Sequence, residues 1–594
     1  MESETKQCQN CKKDFVVEPD DFAFYEKMKV PAPVVCFACQ LQQRLAFRNE
    51  RNLHKRKCDA QGHNEEMLSI YSPSAKAVVY DRDFWWTDKW DPTVYGRDYD
   101  FSKSFFKQFL DLFREVPVPS LMNFNAVNSE YCNYTTDNKN CYLVFGGDFN
   151  EDCLYSGFNF YSKSSSDMYF TNKCELCYEV VDTDNCFNVK WSKYAVGCTD
   201  SAFLYDCVGC SNCVGCVGLR NKNYHILNQP YSKEEYIKKI SELNLDSNSG
   251  IREFRKEFEK LELATPHKFA RILKSVDCTG DTLFEVRDVV NSFDVHGPAE
   301  HVKDTFLAGW GLRDSRRCNH AGHHAELIYN SFAVFADSGN IKLSFWISSS
   351  HDIEYSFNCR NCHNLFGSAG LMNKQYCIFN KQYTKEEYEM LVSKIKKHMD
   401  ETPYTDSAGR VYKFGDFFPM EFSPYAYNET VAQEYFPLKK DEILSRGLLY
   451  ESQTQRNYAP TIKAENIPET IAVTSKEITN EIIECEHKLG CDENCTGAFK
   501  ITSAELLLYK QLNVPIPHLC PNCRHYQRLR KRNPLKLWRR KCQCFGAKSD
   551  NGIYTNTVKH FHSDGHCPNE FESPYAPDRK EIIYCEQCYQ QEVA

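Results

Sequence analysis

The sequence repeats itself at two fixed offsets, and this repetition constrains the fold more than any other feature. At an offset of 484 residues, thirteen identities join the two ends of the chain, beginning with Cys11 and Cys495. At an offset of 152 residues, thirteen more join two central segments, beginning with Cys207 and Cys359. Identities in register on this scale indicate duplication. We therefore predict an A–B–B–A order, with one kind of module at both ends and another kind twice in the middle.

The two B segments contain short runs rich in Tyr, Phe, Val and Cys, separated by Asn, Asp, Gly and Ser, which predict short strands and turns. In the second segment such runs recur about every 24 residues, a spacing compatible with a parallel β-solenoid. An irregular antiparallel meander is the alternative. Each B segment is followed by a capping box, Ser232 with Glu235 and Thr384 with Glu387, which predicts a helix start.

The fold class that follows is a multidomain, β-rich α+β protein, in which two duplicated short-strand, β-solenoid-like units are flanked by duplicated zinc-ribbon modules. Apolar residues at helical spacing predict connecting helices around Phe105–Phe113 and Ile251–Leu261. The expected domains are an N-terminal zinc ribbon (1–65), an aromatic and acidic segment with a helix (66–125), the first β-rich copy (126–230), a helical connector (231–310), the second β-rich copy (311–380), a helix and extended linker (381–480) and a C-terminal double zinc module (481–594).

Cysteine use indicates the compartment and the chemistry. The first five residues are polar and acidic, which argues against a secretory signal. No run approaches the ~20 apolar residues that a membrane-spanning helix needs. We therefore expect a cytoplasmic protein that does not bind membranes. In that reducing environment 31 cysteines are not a disulfide framework, and closely spaced pairs are typical of metal ligands.

Three groups of cysteines have the spacing of four-thiolate zinc sites, in which each pair brings two sulfurs to one tetrahedral ion. The first combines two C-x2-C pairs near the N-terminus, and the second combines C-x3-C with C-x2-C, with Cys485 as a substitute ligand. The third combines C-x-C with C-x2-C. We predict three structural zinc ions, held by Cys8, Cys11, Cys36 and Cys39, by Cys491, Cys495, Cys520 and Cys523, and by Cys542, Cys544, Cys585 and Cys588.

Other cysteines and histidines have ligand chemistry but weaker patterns. A fourth cluster comprises His560, His562, His566 and Cys567, which a polar loop explains equally well. The run Cys207, Cys210, Cys213 and Cys216 resembles ferredoxin spacing, but its last gap is too short and no proline follows, so an iron–sulfur cluster is disfavoured. Stacked core cysteines or a zinc pair remain the alternatives for that run. We interpret Cys318, His320, His323 and His324 as a solvated loop.

A basic run near the C-terminus is interleaved with aromatic residues, although the chain as a whole has a net charge of −9. Such a surface is typical of phosphate contacts and base stacking. The alternatives are that the run is only a solvated face, or that it docks on acidic residues of the protein itself. The candidate nucleic-acid-binding residues are Arg524, Arg528, Arg530, Lys531, Arg532, Lys536, Trp538, Arg539, Arg540 and Lys541.

Several motifs resemble those of one known protein family. They include Pro515-Ile-Pro517 before the Cys520 pair, Arg532-Asn-Pro-Leu-Lys-Leu-Trp538, Trp85-Trp86-Thr-Asp-Lys-Trp90 and Ala432-Gln-Glu-Tyr-Phe-Pro437. With these motifs the chain resembles, from end to end, a family of large cysteine-rich zinc-ribbon proteins of candidate-phyla bacteria, whose members often carry the automatic label Caib/baif family protein. That label would imply a coenzyme A transferase, for which the sequence offers no nucleotide-binding glycine loop. The resemblance implies that the modules occur together in one protein and supplies no established activity.

We therefore predict a non-enzymatic zinc-binding protein that acts as a scaffold for a protein partner. The first alternative is a nucleic-acid-binding protein that uses the basic run. The second is a carbohydrate-acting enzyme on the β-solenoid, with carboxylates from Asp137, Asp148, Asp152 or Asp167, although aspartates at such positions more often cap turns.

Overall fold

The computed structural model describes residues 2–452, 459–562 and 564–593. The chain forms two compact units, and each unit combines distant parts of the sequence. Unit 1 comprises Met1–Leu121, Ala270–Glu451 and Leu535–Leu537; unit 2 comprises Met122–Phe269, Ser452–Pro534 and Trp538–Ala594. Unit 1 therefore holds the N-terminal module and the second B segment, whereas unit 2 holds the first B segment and the C-terminal module. The protein is a large multidomain α+β protein.

The first B segment forms a stack of short parallel strands, which we call the first stack. Each residue pairs with the residue 12 further along the chain, as in Tyr169 with Val181 and Thr199 with Ser211. This step is half the spacing of about 24 residues that the sequence indicates for the second B segment. The strands are Asn123–Phe124, Asn133–Thr136, Phe145–Asp148, Gly157–Phe160, Tyr169–Asn172, Val181–Asp184, Phe187–Lys190, Thr199–Tyr205, Ser211–Val217 and Asn223–Ile226, with Gln229–Pro230 antiparallel at the end.

Burial in the first stack follows a period of three residues, unlike the period of two that is typical of ordinary strands. Every third residue from Ser129 to Cys216 is buried, and these positions hold mainly Cys, Ser, Thr, Asn and Val. Each 12-residue step therefore contributes four inward side chains. A narrow interior explains why small residues are needed there, since large side chains would overpack it.

The backbone turns at every third residue as well. From Asp152 to Gly215, each residue that precedes an inward one has φ between +46° and +70°. That left-handed conformation costs a residue with a Cβ roughly 1–2 kcal/mol, and Asn, Asp and Gly adopt it most readily. The many Asn and Asp residues of this segment therefore mark its corners.

Buried cysteine thiols of the first stack donate hydrogen bonds to backbone carbonyls in a repeating pattern. The Sγ of Cys177 donates to the carbonyl oxygens of Glu175 and Cys186, two residues before and nine residues after it. Cys207, Cys210, Cys213 and Cys216 repeat the same two offsets. These four cysteines thus belong to the packed interior, as one of the two alternatives for that run proposed.

The second B segment forms the second stack, with steps of 13 and later 12 residues. Phe332 pairs with Phe345 and then Phe345 with Phe357. Inside it, the Ser344 hydroxyl accepts the backbone N–H of Ser356 (3.0 Å), and the Ser356 hydroxyl accepts that of Ser368 (3.1 Å). The strands are Ile272–Leu273, Gly280–Val290, Ser292–Lys303, Phe306–Gly309, Leu312–Arg316, Asn319–Gly322, Glu326–Tyr329, Phe332–Phe335, Gly339–Lys342, Phe345–Ser348, His351–Glu354, Phe357–Arg360, His363–Phe366, Gln375–Ile378 and Lys381–Gln382.

The predicted connecting helices are present. Ser232 and Thr384 cap the helices Lys233–Glu242 and Lys385–Glu401 through the expected capping boxes, and the predicted helical stripes lie on Asn248–Ala264 and Phe105–Glu115. The segment 231–310 differs from the expected helical connector, because the long helix ends at Ala264 and paired strands already run through Gly280–Lys303.

Smaller elements complete the units. The other helices are Pro19–Met28, Phe37–Leu45, Arg82–Trp85, Val431–Tyr435, Lys440–Ser445, Ser503–Leu512, Pro521–Arg530 and Glu586–Val593. The other strands are Glu4–Gln7, Asp14–Val17, His54–Lys57, Glu66–Ser69, Val79–Tyr80, Val118–Pro119, Pro266–Lys268, Tyr404–Thr405, Val411–Tyr412, Ile483–Glu484, Ala498–Phe499, Trp538–Lys541, Cys544–Phe545, Lys548–Ser549, Glu570–Ser573 and Ile582–Tyr584. Within the described residues, no helix combines the length and the apolar character needed to cross a membrane.

The left-handed corners predict a pair of opposite mutational effects. Asn185 is exposed and has φ of +52°. We expect Asn185→Ala to lower the free energy of unfolding by about 1 kcal/mol, because alanine adopts the left-handed conformation less readily than asparagine does. We expect Asn185→Gly to retain the stability of the wild type, because glycine adopts this conformation without steric cost. Denaturant unfolding followed by circular dichroism compares the two variants, and equal stability of both would contradict the assignment of the corner.

Candidate metal centres

Four cysteines of the N-terminal module converge as predicted. Cys8 and Cys11 lie in the hairpin between Glu4–Gln7 and Asp14–Val17, while Cys36 and Cys39 lie at the start of the helix Phe37–Leu45. Their sulfurs lie within 4.8 Å of one another, and Cys11 Sγ is 3.8 Å from Cys36 Sγ. Tetrahedral zinc with bonds of about 2.3 Å requires a sulfur–sulfur distance of about 3.8 Å. This group could hold a metal ion.

The second group differs from the predicted one by a single ligand. Cys485, Cys495, Cys520 and Cys523 are all buried and converge, with Cys520 Sγ 3.5 Å from Cys523 Sγ. Cys491 lies beside the group, 3.8 Å from Cys523, together with His487 and Glu493. The substitute ligand named from the sequence thus takes the place of Cys491.

The hairpin explains this substitution. Cys485 directly follows the strand Ile483–Glu484, just as Cys8 directly follows Glu4–Gln7. The loop between Cys485 and Cys495 is seven residues longer than the loop between Cys8 and Cys11 of the N-terminal module. The C-x3-C spacing pairs Cys491 with Cys495. The first cysteine of the group is Cys485 instead, because the strand that it follows sets its position and not its spacing from Cys495.

The third group also differs from the prediction. Cys542, Cys567, Cys585 and Cys588 are buried and converge, with Cys567 Sγ 3.8 Å from Cys585 Sγ. Cys544 belongs to a neighbouring group with His560, His562 and Cys588. Three members of the weaker histidine cluster, His560, His562 and Cys567, therefore lie in groups that could hold a metal ion, whereas exposed His566 lies outside both groups.

Hydrogen bonds between thiols and to backbone groups favour the thiolate form at some of these positions. The Cys39 thiol lowers the pKa of Cys36 to about 5, with burial opposing this shift. The Cys588 thiol lowers the pKa of Cys544 to about 5. The backbone N–H of Cys36 also donates to Cys8 Sγ (3.3 Å), and that of Cys585 donates to Cys542 Sγ (3.2 Å). Thiolate is the form that binds metal.

Cysteines of the first two groups also start two helices, Phe37–Leu45 and Pro521–Arg530. Cys36 and Cys520 occupy the residue before the first turn, and Cys39 and Cys523 lie within that turn. The helix N-terminus carries a partial positive charge that stabilises nearby thiolates. The cysteines therefore tie the first turn of each helix to a cysteine group.

In unit 2, that helix inserts two arginines into the side of the first stack. Arg524 Nη1 donates to Asp167 Oδ2 (2.7 Å), and Arg528 donates to the other oxygen of Asp167. Arg528 Nη2 also donates to the carbonyl oxygen of Tyr155 (2.9 Å). Arg528 is only 1% exposed. Burial opposes the charge of Arg524, but Asp167, Tyr509 and Glu505 together outweigh it and raise the pKa of this guanidinium.

Because the first stack repeats every 12 residues, the residues that contact the helix Pro521–Arg530 and the basic residues after it lie in columns along the stack. Tyr155, Asp167 and Glu179 are successive members of one column, and Lys531 pairs with Glu179 at 3.0 Å. Burial of Glu179 raises its pKa, but Lys531 and Arg255 outweigh this and lower the pKa to about 2. Arg532 pairs with Asp182 in the adjacent column (3.1 Å). Four residues of the basic run, Arg524, Arg528, Lys531 and Arg532, are thus placed by the stack, as the docking alternative proposed.

The predicted nucleic-acid-binding surface is therefore smaller than the sequence indicates. Arg524 and Arg528 are buried, and Lys531, Arg532, Arg540 and Trp538 are half-buried. The exposed remainder consists of Arg530, Lys536, Arg539 and Lys541, of which Arg539 and Lys541 pair with Glu570 and Arg530 pairs with Glu493.

In unit 1, the corresponding helix inserts a single arginine between neutral partners. Arg44 donates through Nε to Asn319 Oδ1 and through Nη1 to Asn330 Oδ1, both at 2.7 Å. The side chain is fully buried, and burial lowers the pKa of Arg44 to about 9. Arg317 of the second stack donates back to Gln40 Oε1 of the helix (2.8 Å). Side chains of both elements therefore fix the helix on the stack.

The remaining candidates do not form a site of the predicted kind. Asp167 binds two arginines, Asp152 accepts from Asn140 (3.0 Å), and Asp148 accepts from the backbone N–H of Thr136 (2.7 Å). Burial raises the pKa of Asp148 to about 6. Asp137 and Asp152 occupy left-handed corners. Cys318 and His320 are buried, whereas His323 and His324 are exposed. Only the two exposed histidines therefore fit the solvated loop that the sequence predicts.

Comparison with known proteins yields little. No family model matches the chain, and no curated protein matches it. Among solved structures, a crystal structure from Desulfovibrio desulfuricans G20 described as a "putative acetyltransferase" is 10% identical, covering 49% of this chain and 86% of that chain, with a TM-score of 0.10. A similarity at this level carries no argument about fold or function.

The buried arginine pair predicts a large effect of one small change. Asp167→Asn removes the charge that faces Arg524 and Arg528, so we expect the free energy of unfolding to fall by about 3 kcal/mol or more, as when one partner of a buried ion pair is removed. Asp152→Asn is the matched control, since it changes an aspartate at another left-handed corner. Denaturant unfolding measures both variants, and a loss at Asp167 no larger than that at Asp152 would contradict the docking contact.

Proposed function

We propose that the protein is a non-enzymatic zinc-binding scaffold, in which two β-solenoids are each held by a zinc module and together present surfaces to a protein partner in the cytoplasm. Membership of the cysteine-rich zinc-ribbon family that the sequence resembles is part of this proposal. The single observation that carries it is the convergence of three groups of four cysteines, each within 4.8 Å.

Zinc is the metal that these groups suit best. Four-thiolate sites with tetrahedral sulfur–sulfur distances are typical of structural zinc, and all four positions are filled by protein ligands. Such a site leaves no position for a substrate or an activated water molecule. The ions would therefore act on folding, because metal binding free energy becomes folding free energy when the site forms only in the folded chain.

Equivalent contacts support a duplicated plan for the two units. Arg44 and Arg528 are separated by the 484-residue offset, and both are buried in a stack. Tyr25 and Tyr509 are separated by the same offset and are also buried. We propose that each unit is one copy of an A module bound to one copy of a B solenoid.

An aromatic column on the second stack supports a binding role. The rings of His296 and Trp310 stack at 5.7 Å with an interplanar angle of 4°, and those of Trp310 and His323 stack at 5.6 Å and 13°. Phe335 extends the column. His323 is exposed and the other three are half-buried. A continuous aromatic face of this kind distinguishes a binding protein from a glycosidase, which requires paired carboxylates in a groove.

Nucleic acid remains a weaker candidate for the partner. Pairing of the exposed basic residues with Glu570 and Glu493 reduces the positive charge available to phosphates.

Metal content tests the zinc proposal directly. We expect the purified full-length protein to retain zinc through gel filtration, and Cys8→Ser with Cys11→Ser to lose one equivalent because two of four ligands are gone. Cys278→Ser, which changes a half-buried cysteine outside the cysteine groups, should retain all of it. Elemental analysis by mass spectrometry gives the ratio; protein without zinc would sink the proposal.

Binding of mixed single-stranded RNA and DNA separates the two kinds of partner. We expect weak binding at low salt that Arg539→Ala and Lys541→Ala barely change, since both side chains already pair with Glu570. Tight binding with a steep salt dependence, lost in that double variant, would instead establish the nucleic-acid function. Fluorescence anisotropy measures the affinity.

A further inference from the structure

The two metal-binding groups at the C-terminal end share one sulfur. Cys542, Cys567 and Cys585 surround Cys588 in one group, while Cys544, His560 and His562 surround it in the other. A thiolate sulfur has more than one lone pair and can bridge two ions. Seven ligands with one shared member supply two complete tetrahedral sites.

We propose that this end of the chain holds a pair of zinc ions bridged by the thiolate of Cys588, one ion bound by four sulfurs and the other by two sulfurs and two imidazoles. The proposal rests on the zinc-binding function above and adds a fourth ion to it. Both ligand sets are among those that structural zinc uses.

Contacts around the histidine half of the site support a metal there. Nδ1 of His560 faces Cys544 Sγ at 3.0 Å, and Nε2 of His562 faces Cys588 Sγ at 3.4 Å. Tetrahedral zinc places a sulfur and a nitrogen ligand about 3.5 Å apart. The side-chain amide of Asn556 donates to Cys544 Sγ (3.2 Å), a hydrogen bond that suits a thiolate.

A carboxylate behind His560 fixes the ring for ligation. Nε2 of His560 donates to Glu592 Oε1 (2.7 Å), which leaves the Nδ1 lone pair for the metal. Glu592 Oε2 is held in turn by Tyr554 Oη (2.8 Å) and by Oγ1 of Thr557 (2.9 Å). Histidine ligands of zinc regularly donate their other N–H to a carboxylate in this way. The ring is therefore oriented as a ligand and not as a surface residue.

Charge balance favours two ions over one. The five cysteines of the combined site are buried, and as thiolates they carry five negative charges. One ion in the four-sulfur set would leave a net charge of −2 with Cys544 as a neutral thiol, whereas two ions with all five thiolates leave a net charge of −1. Uncompensated buried charge is strongly unfavourable.

The Cys523 group offers a useful contrast, because His487, Cys491 and Glu493 form a similar second cluster beside it. There the carboxylate of Glu493 already pairs with the cation of Arg530 and lies 3.1 Å from His487 Nδ1. That carboxylate is already neutralised by the guanidinium. We therefore assign a single ion to this group.

Zinc stoichiometry of the full-length protein and its variants tests the bridged pair. We expect four equivalents in the wild type, three in His560→Ala, and two in Cys588→Ser, because loss of the bridge removes both ions. His566→Ala is the control and keeps four, since exposed His566 lies outside both groups. Three equivalents in both the wild type and His560→Ala would overturn the pair, as would loss of only one ion in Cys588→Ser. Absence of zinc would refute the proposed function itself.

X-ray absorption at the zinc edge tests the bridge in the wild-type protein itself, so that its main readout does not depend on the folding of a variant. We expect a zinc–zinc scattering shell at about 3.5–4 Å in the wild type, the separation typical of two-metal sites. The shell should persist in His566→Ala and disappear in Cys544→Ser. Wild-type protein that lacks the shell would overturn the bridge.

Discussion

A buried arginine on a helix that starts at a group of converging cysteines is the contact on which each unit depends. In unit 2, Arg524 and Arg528 share Asp167, and in unit 1 Arg44 lies between two asparagines. The helices are ten and nine residues long, too short to be stable alone in water. They persist because the cysteine group fixes one end and the stack fixes the side that carries the arginine. In the proposed zinc-bound protein, metal, helix and stack would form one cooperative structure.

The stacks hold these helices by means of their repeat. A 12-residue step places the same corner of every turn in one column, so that Tyr155, Asp167 and Glu179 present a carbonyl oxygen and two carboxylates in a row. Small inward residues and left-handed corners keep the turns narrow and the column regular. The same repeat, with different residues in the columns, yields the aromatic column of His296, Trp310 and His323 on the second stack. Outward columns thus set what each stack can bind.

Strand composition, capping boxes and helical stripes could be predicted from the sequence, because they depend on neighbouring residues. The step length could not be predicted, because strands were sought by alternation of apolar and polar residues, whereas burial in the first stack recurs at every third residue. That period explains Cys207, Cys210, Cys213 and Cys216: their C-x2-C spacing reflects four inward positions and not a metal site. The four N-terminal cysteines converge as their spacing indicates. Cys485 and Cys567 were not placed in the main groups from the sequence, because the pairing of Ile483–Glu484 with Ala498–Phe499 and of Trp538–Lys541 with Glu570–Ser573 positions them, and not their spacing from other cysteines. The basic run was interpreted as a surface because its acidic partners lie some 350 residues away.

Hydrogen exchange of the full-length protein with and without a zinc chelator tests the central claim most directly. The account predicts that metal removal increases exchange together in the helix Pro521–Arg530 and in the strands Tyr169–Asn172 and Val181–Asp184 against which its basic residues lie, because the buried arginines leave their carboxylate when the helix loosens. Protection of the helix that survives complete metal removal would contradict it, since the helix would then be held by the stack alone.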